Sequence, residues 1–447
     1  MQRNLTKGPI TLNILLFALP LMCGNLLQQT YNVADTWIVG RFLGANALAA
    51  VGSSYTLMVF LTSILLGLCM GSGAAMAMLY GSGQLDKLRR CIFMSFSSIA
   101  MAALALNIGV YWGLDSILSW LCVPVEVQPL MSIYLKIILA GIMATFLYNY
   151  FANLLNAVGN SVTPLYFLAA AALSNIGLDL LFVLVLKWGV GGAAWATVLA
   201  QFLAGIGIAV YTLNKFPHLR PRRADMCWDK AELASIVNLS VMTSVQQSIM
   251  NFGILLVQGL VNSFGAVVMA AFAAAVKIDS FAYMPVQDFG NAFSTYVAQN
   301  YGAKQPERIR LGIHSAVFTS AVFCFVISAV VFILAQPLMQ IFIEPQEKAI
   351  IAVGVQYLRI EGACYIGIGI LFLLYGYYRA INMPSMSVIL TIASLGTRVI
   401  LAYALSAIPA IGVTGIWLSV PIGWALADII GITYYFTRSQ KQLPTGM

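Results

Sequence analysis

The feature that most constrains this chain is a succession of long apolar runs with few charges inside them. Residues 321–335, for example, are interrupted only by Ser328. Runs of this kind suit helices that cross a bilayer, which need about 20 apolar residues each. They do not suit an outer-membrane barrel, whose strands alternate apolar and polar over about 10 residues. With 61% hydrophobic and 9% charged residues, against roughly a quarter charged in soluble domains, the chain lacks the polar surface to remain in water. Breaks at charged or Pro/Gly-rich positions predict twelve helices, over residues 12–39, 46–80, 90–113, 131–156, 162–186, 190–213, 233–262, 267–301, 311–336, 350–381, 384–408 and 412–437. The expected fold class is therefore an all-α polytopic membrane protein.

The net charge of +8 could point to an acidic partner, but the distribution of basic residues gives it another meaning. With the N-terminus inside, only Arg41, Lys187 and Lys348 face outward, and Lys136, Lys277, Arg359 and Arg398 fall within spans. The rest of the 23 basic residues lie on the inner side, which is the positive-inside bias. Both termini are then expected on the cytoplasmic side. Arg3 and Lys7 ahead of an apolar stretch resemble a signal peptide, yet the stretch runs past Cys23 without an A-x-A site. It is read as the first helix. The seven cysteines, Cys122 among them, are dispersed without metal-type spacing and read as small core residues.

The longest polar stretch, Lys215 to Lys230, lies near the middle of the chain, and the two sides of it repeat. Tyr80-Gly81 and the acid-base-x-base order of Asp86-Lys87-Leu88-Arg89 recur 221 residues later as Tyr301-Gly302 and Glu307-Arg308-Ile309-Arg310. Gly44-Ala45 recurs as Gly265-Ala266, and Trp195 as Trp417 one residue further on. A period this long means duplicated bundles rather than a solenoid. The division predicted is an N-terminal six-helix lobe over 1–214, a cytoplasmic linker over 215–232, a second six-helix lobe over 233–437 and a cytoplasmic tail over 438–447. Six is even, so the lobes are parallel repeats about an axis along the membrane normal. Rocking of the lobes around a central cleft, opening it to alternate faces, is the mechanism such an architecture suggests; the period is compatible with a static pore as well.

No phosphate-cradling G-x-x-x-x-G-K-[ST] motif is present, and His218 and His314 form no constellation with the cysteines. No enzyme, resident metal or cofactor is expected. What remains is ionisable groups within spans, each costing roughly 2.5–3.5 kcal/mol unless paired or protonated. Gln28, Tyr31 and Asp35 share one stripe of the first helix, beyond an expected kink at Pro20. Asn175 and Asp179 stand four apart on one face of the fifth. Two such carboxylates, each with an amide or phenol one turn away, can bind a proton or a sodium ion, since burial disfavours their charged form. The competing reading puts Asp35 at the helix end, beside Arg41. Position 179 maps to Leu401 in the second half and 175 to Thr397, so the acidic pair is not repeated. Lys277 and Asp279, two apart, do not face each other on a helix, and they, like Arg359 and Glu361, are expected to form structural ion pairs with neighbours; Asp288 and Asp428 have no assigned role, with Lys136 and Arg398 as partners for them or as snorkelling side chains. The second half supplies Gln246, Gln247, Met250, Phe252, Phe281, Tyr283, Met284 and Tyr365, side chains adaptable to organic cations.

The stretches Ala18-Leu19-Pro20, Gln28 through Thr36, Val39-Gly40-Arg41 with Gly44 to Gly52, and Ala298 through Ala303 resemble the multidrug and toxic compound extrusion (MATE) transporters. Among these the chain is most similar to the MepA-like and DinF-like prokaryotic branch. The resemblance implies twelve helices in two lobes around a V-shaped cleft, and a cation-coupled antiporter of the bacterial cytoplasmic membrane that exports amphipathic organic cations. It implies a cation site at Tyr31, Asp35, Asn175, Asp179 and Thr197, with Pro20 as hinge and either H+ or Na+ as coupling ion. Gln28, Gln246, Gln247, Met250, Phe252, Tyr283, Met284 and Tyr365 are the candidate substrate contacts, on their side-chain chemistry. The NorM-type glutamate of helix 7 is missing from Thr243 through Met250. A monomer is expected, with the bilayer and small organic molecules as partners and no nucleic acid. The alternative is a flippase for lipid-linked oligosaccharides, which needs a cationic cleft that four dispersed basic residues within spans do not supply.

Overall fold

The computed structural model describes residues 3–120 and 127–438; Cys122 and positions 439–447, including Lys441 in the expected tail, lie outside the described residues. Fourteen α-helices carry the described chain. In the first half they are α1 (Ile10–Leu43), α2 (Ala45–Gly81), α3 (Leu85–Trp120), α4 (Gln128–Ala140), α5 (Ile142–Ala157), α6 (Val162–Asp179) and α7 (Gly189–Lys215). In the second they are α8 (Lys230–Asn262), α9 (Ala266–Gly302), α10 (Pro306–Gln340), α11 (Lys348–Gly362), α12 (Tyr365–Ala380), α13 (Pro384–Ser406) and α14 (Val413–Thr437). Among the described residues, ten helices are long and apolar enough to cross a membrane, or up to twelve spans when each bent pair counts as one.

The difference from the expected twelve continuous helices lies in those pairs. The fourth predicted helix is broken at Gly141, where α4 and α5 meet at 44°, and the tenth at Ala363 and Cys364, where α11 and α12 meet at 51°. The apolar pattern runs through both breaks, so periodicity does not reveal them; a bend inside a membrane is tolerated where neighbouring protein re-satisfies the backbone. The fifth predicted helix ends as a π-helical turn, Leu180–Val185, directly after Asp179. Such turns are rare and recur at functional sites.

The chain divides into two compact units, one formed by residues up to Arg3 with Leu19–Ser244, the other by Asn4–Ala18 with the chain from Val245 onward. The passage between them thus runs inside α1 next to Pro20 and inside α8, while the Lys215–Lys230 linker belongs to the first unit. The start of α1 is held in the second unit by definite bonds. Asn300 Nδ2 donates to the Leu5 carbonyl at 3.2 Å, and Arg308 Nη1 to that of Gly8 at 3.1 Å.

The repeat is legible in the backbone. Left-handed residues recur at matching turns: Gly44 with Gly265, Gly83 with Lys304, Gly159 with Asn382 and Gly189 with Gly412. In the second of these pairs even the capping bonds repeat. Gly83 N donates to Tyr80 O and Gln84 N to Leu79 O, just as Lys304 N donates to Tyr301 O and Gln305 N to Asn300 O. The duplicated tryptophans part company, however. Trp417 is fully buried, stacked on Phe272 at 5.4 Å and edge-on to Tyr357 at 4.9 Å. Trp195 is 41% exposed, because the positions matching Phe272 and Tyr357 are Val51 and Lys136, which build no aromatic box.

Helix packing within each unit relies on small residues, as it must where lipid offers no hydrophobic drive. Gly67 and Gly71 of α2 form a G-x-x-x-G face. A Cβ on Gly67 would overlap Ser244 of α8, and one on Gly71 would overlap Leu239 O and Ser240. Ser244 Oγ donates to the Ile64 carbonyl across this contact at 3.0 Å. In the second unit Gly376 of α12 lies against the Gly290 carbonyl of α9.

Outside the spans, Arg89 ties the α3 start to the linker. Its Nε donates to Asp225 Oδ2 at 2.9 Å, its Nη1 to the His218 carbonyl at 3.5 Å, and its Nη2 pairs with Asp86. Burial alone would push the Asp225 carboxyl up, but the Arg222 backbone N–H and the Arg89 guanidinium outweigh it and hold the group below its ordinary 3.8. A depressed carboxyl stabilises the fold above its unfolded value and loses that contribution as pH falls through its folded one. Hydrogen exchange in residues 216–229 is therefore expected to rise as pH drops from about 5 to about 2, once corrected for intrinsic exchange rates. Corrected exchange that does not change over that range would show that the clasp does not order the linker.

Candidate functional site

In the first unit the site is built from α1, α6 and α7. Asp179 stands at the last turn of α6 with no exposure, and Asn175 one turn before it at 2%. Asn175 Nδ2 donates to Thr197 Oγ1 of α7 at 3.3 Å, and Thr197 Oγ1 donates in turn to the Ala193 carbonyl at 3.2 Å. The Asp35 carboxyl of α1 faces that of Asp179, and Tyr31 stands near Asp35 with Gln28 beside it. Both Asp179 oxygens, Asp35 Oδ1 and Asn175 Oδ1 are buried without a hydrogen-bond donor. Two buried carboxyls face to face repel each other when both are charged. One shared proton, or one small cation drawing on these oxygens, removes the repulsion.

The structure thus brings Tyr31, Asp35, Asn175, Asp179 and Thr197 into one unit. The reading of Asp35 as an end-of-helix partner of Arg41 does not hold. Helix α1 continues to Leu43, and among the described residues the ion pairs are Arg89–Asp86, Arg89–Asp225 and Arg90–Glu232. Pro20 lies one residue past the point where α1 passes between units. Having no N–H, it leaves the Leu16 carbonyl without its helical partner.

Of the residues expected to meet organic substrate, Gln28 belongs to the first unit and the others to the second. Gln246 is 3% exposed, with its Oε1 lacking a donor; Gln247, Met250, Tyr283 and Met284 are half-buried, and Phe252 is exposed. The Tyr283 ring lies 6.2 Å from that of Phe372. Tyr365 is buried, and its hydroxyl donates to Asp279 Oδ1 at 2.6 Å.

That bond opens onto a constellation the sequence did not reveal. Asp279 of α9 and Glu361 at the end of α11 face each other, with the Tyr357 hydroxyl beside them and the Arg398 charge of α13 acting on both. Glu361 is 1% exposed, and neither its Oε1 nor Arg398 Nε has a partner. The neighbouring bases stay apart from these acids: Lys277 is exposed, and Arg359 is exposed with its guanidinium 5.5 Å from the Phe332 ring. The second unit therefore has a buried carboxyl pair of its own, at positions the repeat does not match to Asp35 and Asp179. Asp428, 7% exposed and with no donor on Oδ1, is a further buried acid on α14.

Two helical units, each repeating the other's turns and each enclosing buried carboxyls, frame the comparison with known proteins. The family model described as MatE matches residues 20–181 and, a second time, residues 242–404. The chain belongs to the MatE family. The double match falls on the two halves of the repeat, its segments starting 222 residues apart. Among curated MatE-like relatives, the "Probable multidrug resistance protein YpnP" of Bacillus subtilis is 28% identical, over 97% of this chain and 96% of its own. The "Multidrug export protein MepA" of Staphylococcus aureus is 21% identical, over 98% and 97%. A solved structure described as "Crystal structure of MATE in complex with MaL6" superposes with a TM-score of 0.92 at 22% identity, covering 98% of each chain. That likeness establishes the fold, an all-helical bundle, and the family match makes the chain a multi-pass MatE-family transporter.

Proposed function

We propose that the chain is a secondary antiporter that exports amphipathic, commonly cationic organic compounds in exchange for H+ or Na+ by alternating access. The observation that carries this reading is Asp179, without exposure and with neither oxygen bonded, facing Asp35 inside an apolar bundle. An acid so placed is costly unless an ion visits it. In this reading the proton or cation arrives at Asp35 and Asp179, with the Asn175 and Thr197 oxygens completing the donor set for sodium. Its binding bends α1 at Pro20 and releases the exported compound outward. The names of the relatives, multidrug resistance and multidrug export proteins, support the substrate class. The protein works as a monomer in the bacterial cytoplasmic membrane, both termini inside, with no cofactor beyond the coupling ion.

The test is dye export from liposomes that hold the purified wild type. A fluorescent organic cation is followed under an imposed proton gradient, then under a sodium gradient alone. Movement driven by one gradient and not by the other establishes antiport and identifies the ion. Movement that ignores both gradients and fails to saturate indicates a pore, and no movement under either, with dye binding intact, removes the antiport reading.

A further inference from the structure

At one end of the first unit, the loop between α2 and α3 and the linker enclose an open hollow of about 610 Å³, lined by Gly83 to Lys87, Arg89, Arg90 and Arg222. The one buried side chain in its lining is Arg89, 7% exposed and fixed by Asp86, Asp225 and the His218 carbonyl. The rim is basic. Four lining side chains, Lys87, Arg89, Arg90 and Arg222, are basic against one acid, Asp86, and over residues 84–90 and 215–232 as a whole eight basic residues stand against four acidic ones.

Three of the four acids are engaged, and Glu232 in part, its Oε2 having no partner. Asp225 and Asp86 take Arg89, and Glu232 lies 3.6 Å from Arg90. Asp229 Oδ1 caps α8, accepting the backbone N–H groups of Ala231 and Glu232 at 2.9 Å each. The repeat sharpens the contrast. In the second unit Arg308, the counterpart of Lys87, spends its guanidinium on Asn300 Oδ1 and the Gly8 and Leu5 carbonyls. Among the described residues Lys87 has no hydrogen bond of that kind and borders the hollow instead.

A second observation fixes the surroundings. Trp228, at the end of the linker, is 51% exposed, with its ring edge-on to Phe93 at 5.8 Å, one turn along α3 from Arg89. An exposed tryptophan held against a membrane helix marks headgroup depth. The basic hollow therefore opens where phosphates of the bilayer surface lie.

We propose that this hollow is a binding site for the headgroup of an anionic phospholipid, with Lys87, Arg90 and Arg222 on the phosphodiester and Trp228 at the headgroup boundary. Guanidinium pairs suit a phosphate because they present parallel donors, and juxtamembrane cations gain from an anionic leaflet. The lipid would brace the linker that Arg89 already ties to α3. The site is independent of the proposed antiport, since none of its residues belongs to the carboxyl pairs.

The full-length protein in detergent micelles is titrated with phosphatidylglycerol, with phosphatidylcholine and with inorganic phosphate, and lipid adducts are counted by native mass spectrometry alongside thermal unfolding. Phosphatidylglycerol is expected to remain bound and to raise the Tm, while phosphatidylcholine and phosphate do neither. The double variant K87Q/R222Q should bind it about thirtyfold more weakly, one decade of affinity and a half for two interfacial cations. Removing two charges elsewhere, in K304Q/R310Q, should change nothing. Equal binding of phosphatidylcholine, unchanged phosphatidylglycerol binding by K87Q/R222Q, or a phosphate effect equal to that of the lipid would overturn the proposal. If K87Q/R222Q melts early without lipid, K87R/R222K, which keeps the charge, must restore both fold and lipid binding; a variant that folds but binds no lipid refutes the assignment to charge.

Discussion

Asp179→Asn is expected to lose gradient-driven export by roughly 5- to 150-fold, the span of a coupling free energy of 1–3 kcal/mol, while binding of the organic compound survives. An asparagine keeps the shape of the aspartate but neither holds a titrating proton nor balances a cation. Nothing else at that position can substitute, because both Asp179 oxygens are buried and without a donor. Asp35→Asn should cost less, since Asp35 is half-buried and only its Oδ1 lacks a partner. If the two carboxyls hold a single ion between them, the double variant should be no worse than Asp179→Asn alone, a non-additivity expected of groups acting as one unit. Export measured in liposomes under the driving ion gradient decides it. Full, gradient-dependent export by Asp179→Asn would falsify the coupling role, and strictly additive losses would separate the two acids.

Why this pair could be found in the sequence, and the second one could not, follows from where the residues lie. Asp35 and Asp179 stand alone in long apolar runs, and Asn175 shares a helix face with Asp179 at a spacing of four. A single helix therefore advertises most of the arrangement. Asp279, Glu361 and Arg398 come from α9, α11 and α13, and each acid has a nearer decoy, Lys277 or Arg359, two residues away. Two residues apart on a helix means opposite sides. The structure accordingly turns both decoys outward and leaves the acids to meet across helices. Sequence spacing carries no information about contacts of that kind. The breaks at Gly141 and after Gly362 are hidden for a similar reason. The apolar composition continues across them, and the glycines at 141 and 362 do not mark a break by themselves, since Gly67, Gly71 and Gly73 lie inside the unbroken α2. The turns are the opposite case: Gly44 and Gly265 stand where the backbone turns left-handed, so the duplicated Gly-Ala motif points directly at the loops that repeat.

The same dependence on close backbone approach gives the largest stability effect expected. Gly71→Leu should destabilise the first unit by roughly 3 kcal/mol or more, at the upper end of overpacking costs. Even a Cβ at position 71 would overlap Leu239 O and Ser240, and these are backbone atoms of a helix that no side-chain rotation can move aside. For α8 to retreat, Ser244 would have to give up its bond to the Ile64 carbonyl, leaving its hydroxyl without that partner in an apolar setting. Gly67 offers no relief, because it meets Ser244 in the same way one turn earlier. Gly52, which has nothing near enough to meet a new Cβ, provides the control: Gly52→Ala on the same helix should be close to neutral. Thermal unfolding in detergent and expression level should both fall for Gly71→Leu and not for Gly52→Ala. Equal melting of the two variants would show that the small-residue face does not set the α2 to α8 contact. Since α8 carries the chain from one unit to the other at Ser244 and Val245, a loss here should also reduce export without altering which ion drives it, a pattern distinct from that of Asp179→Asn.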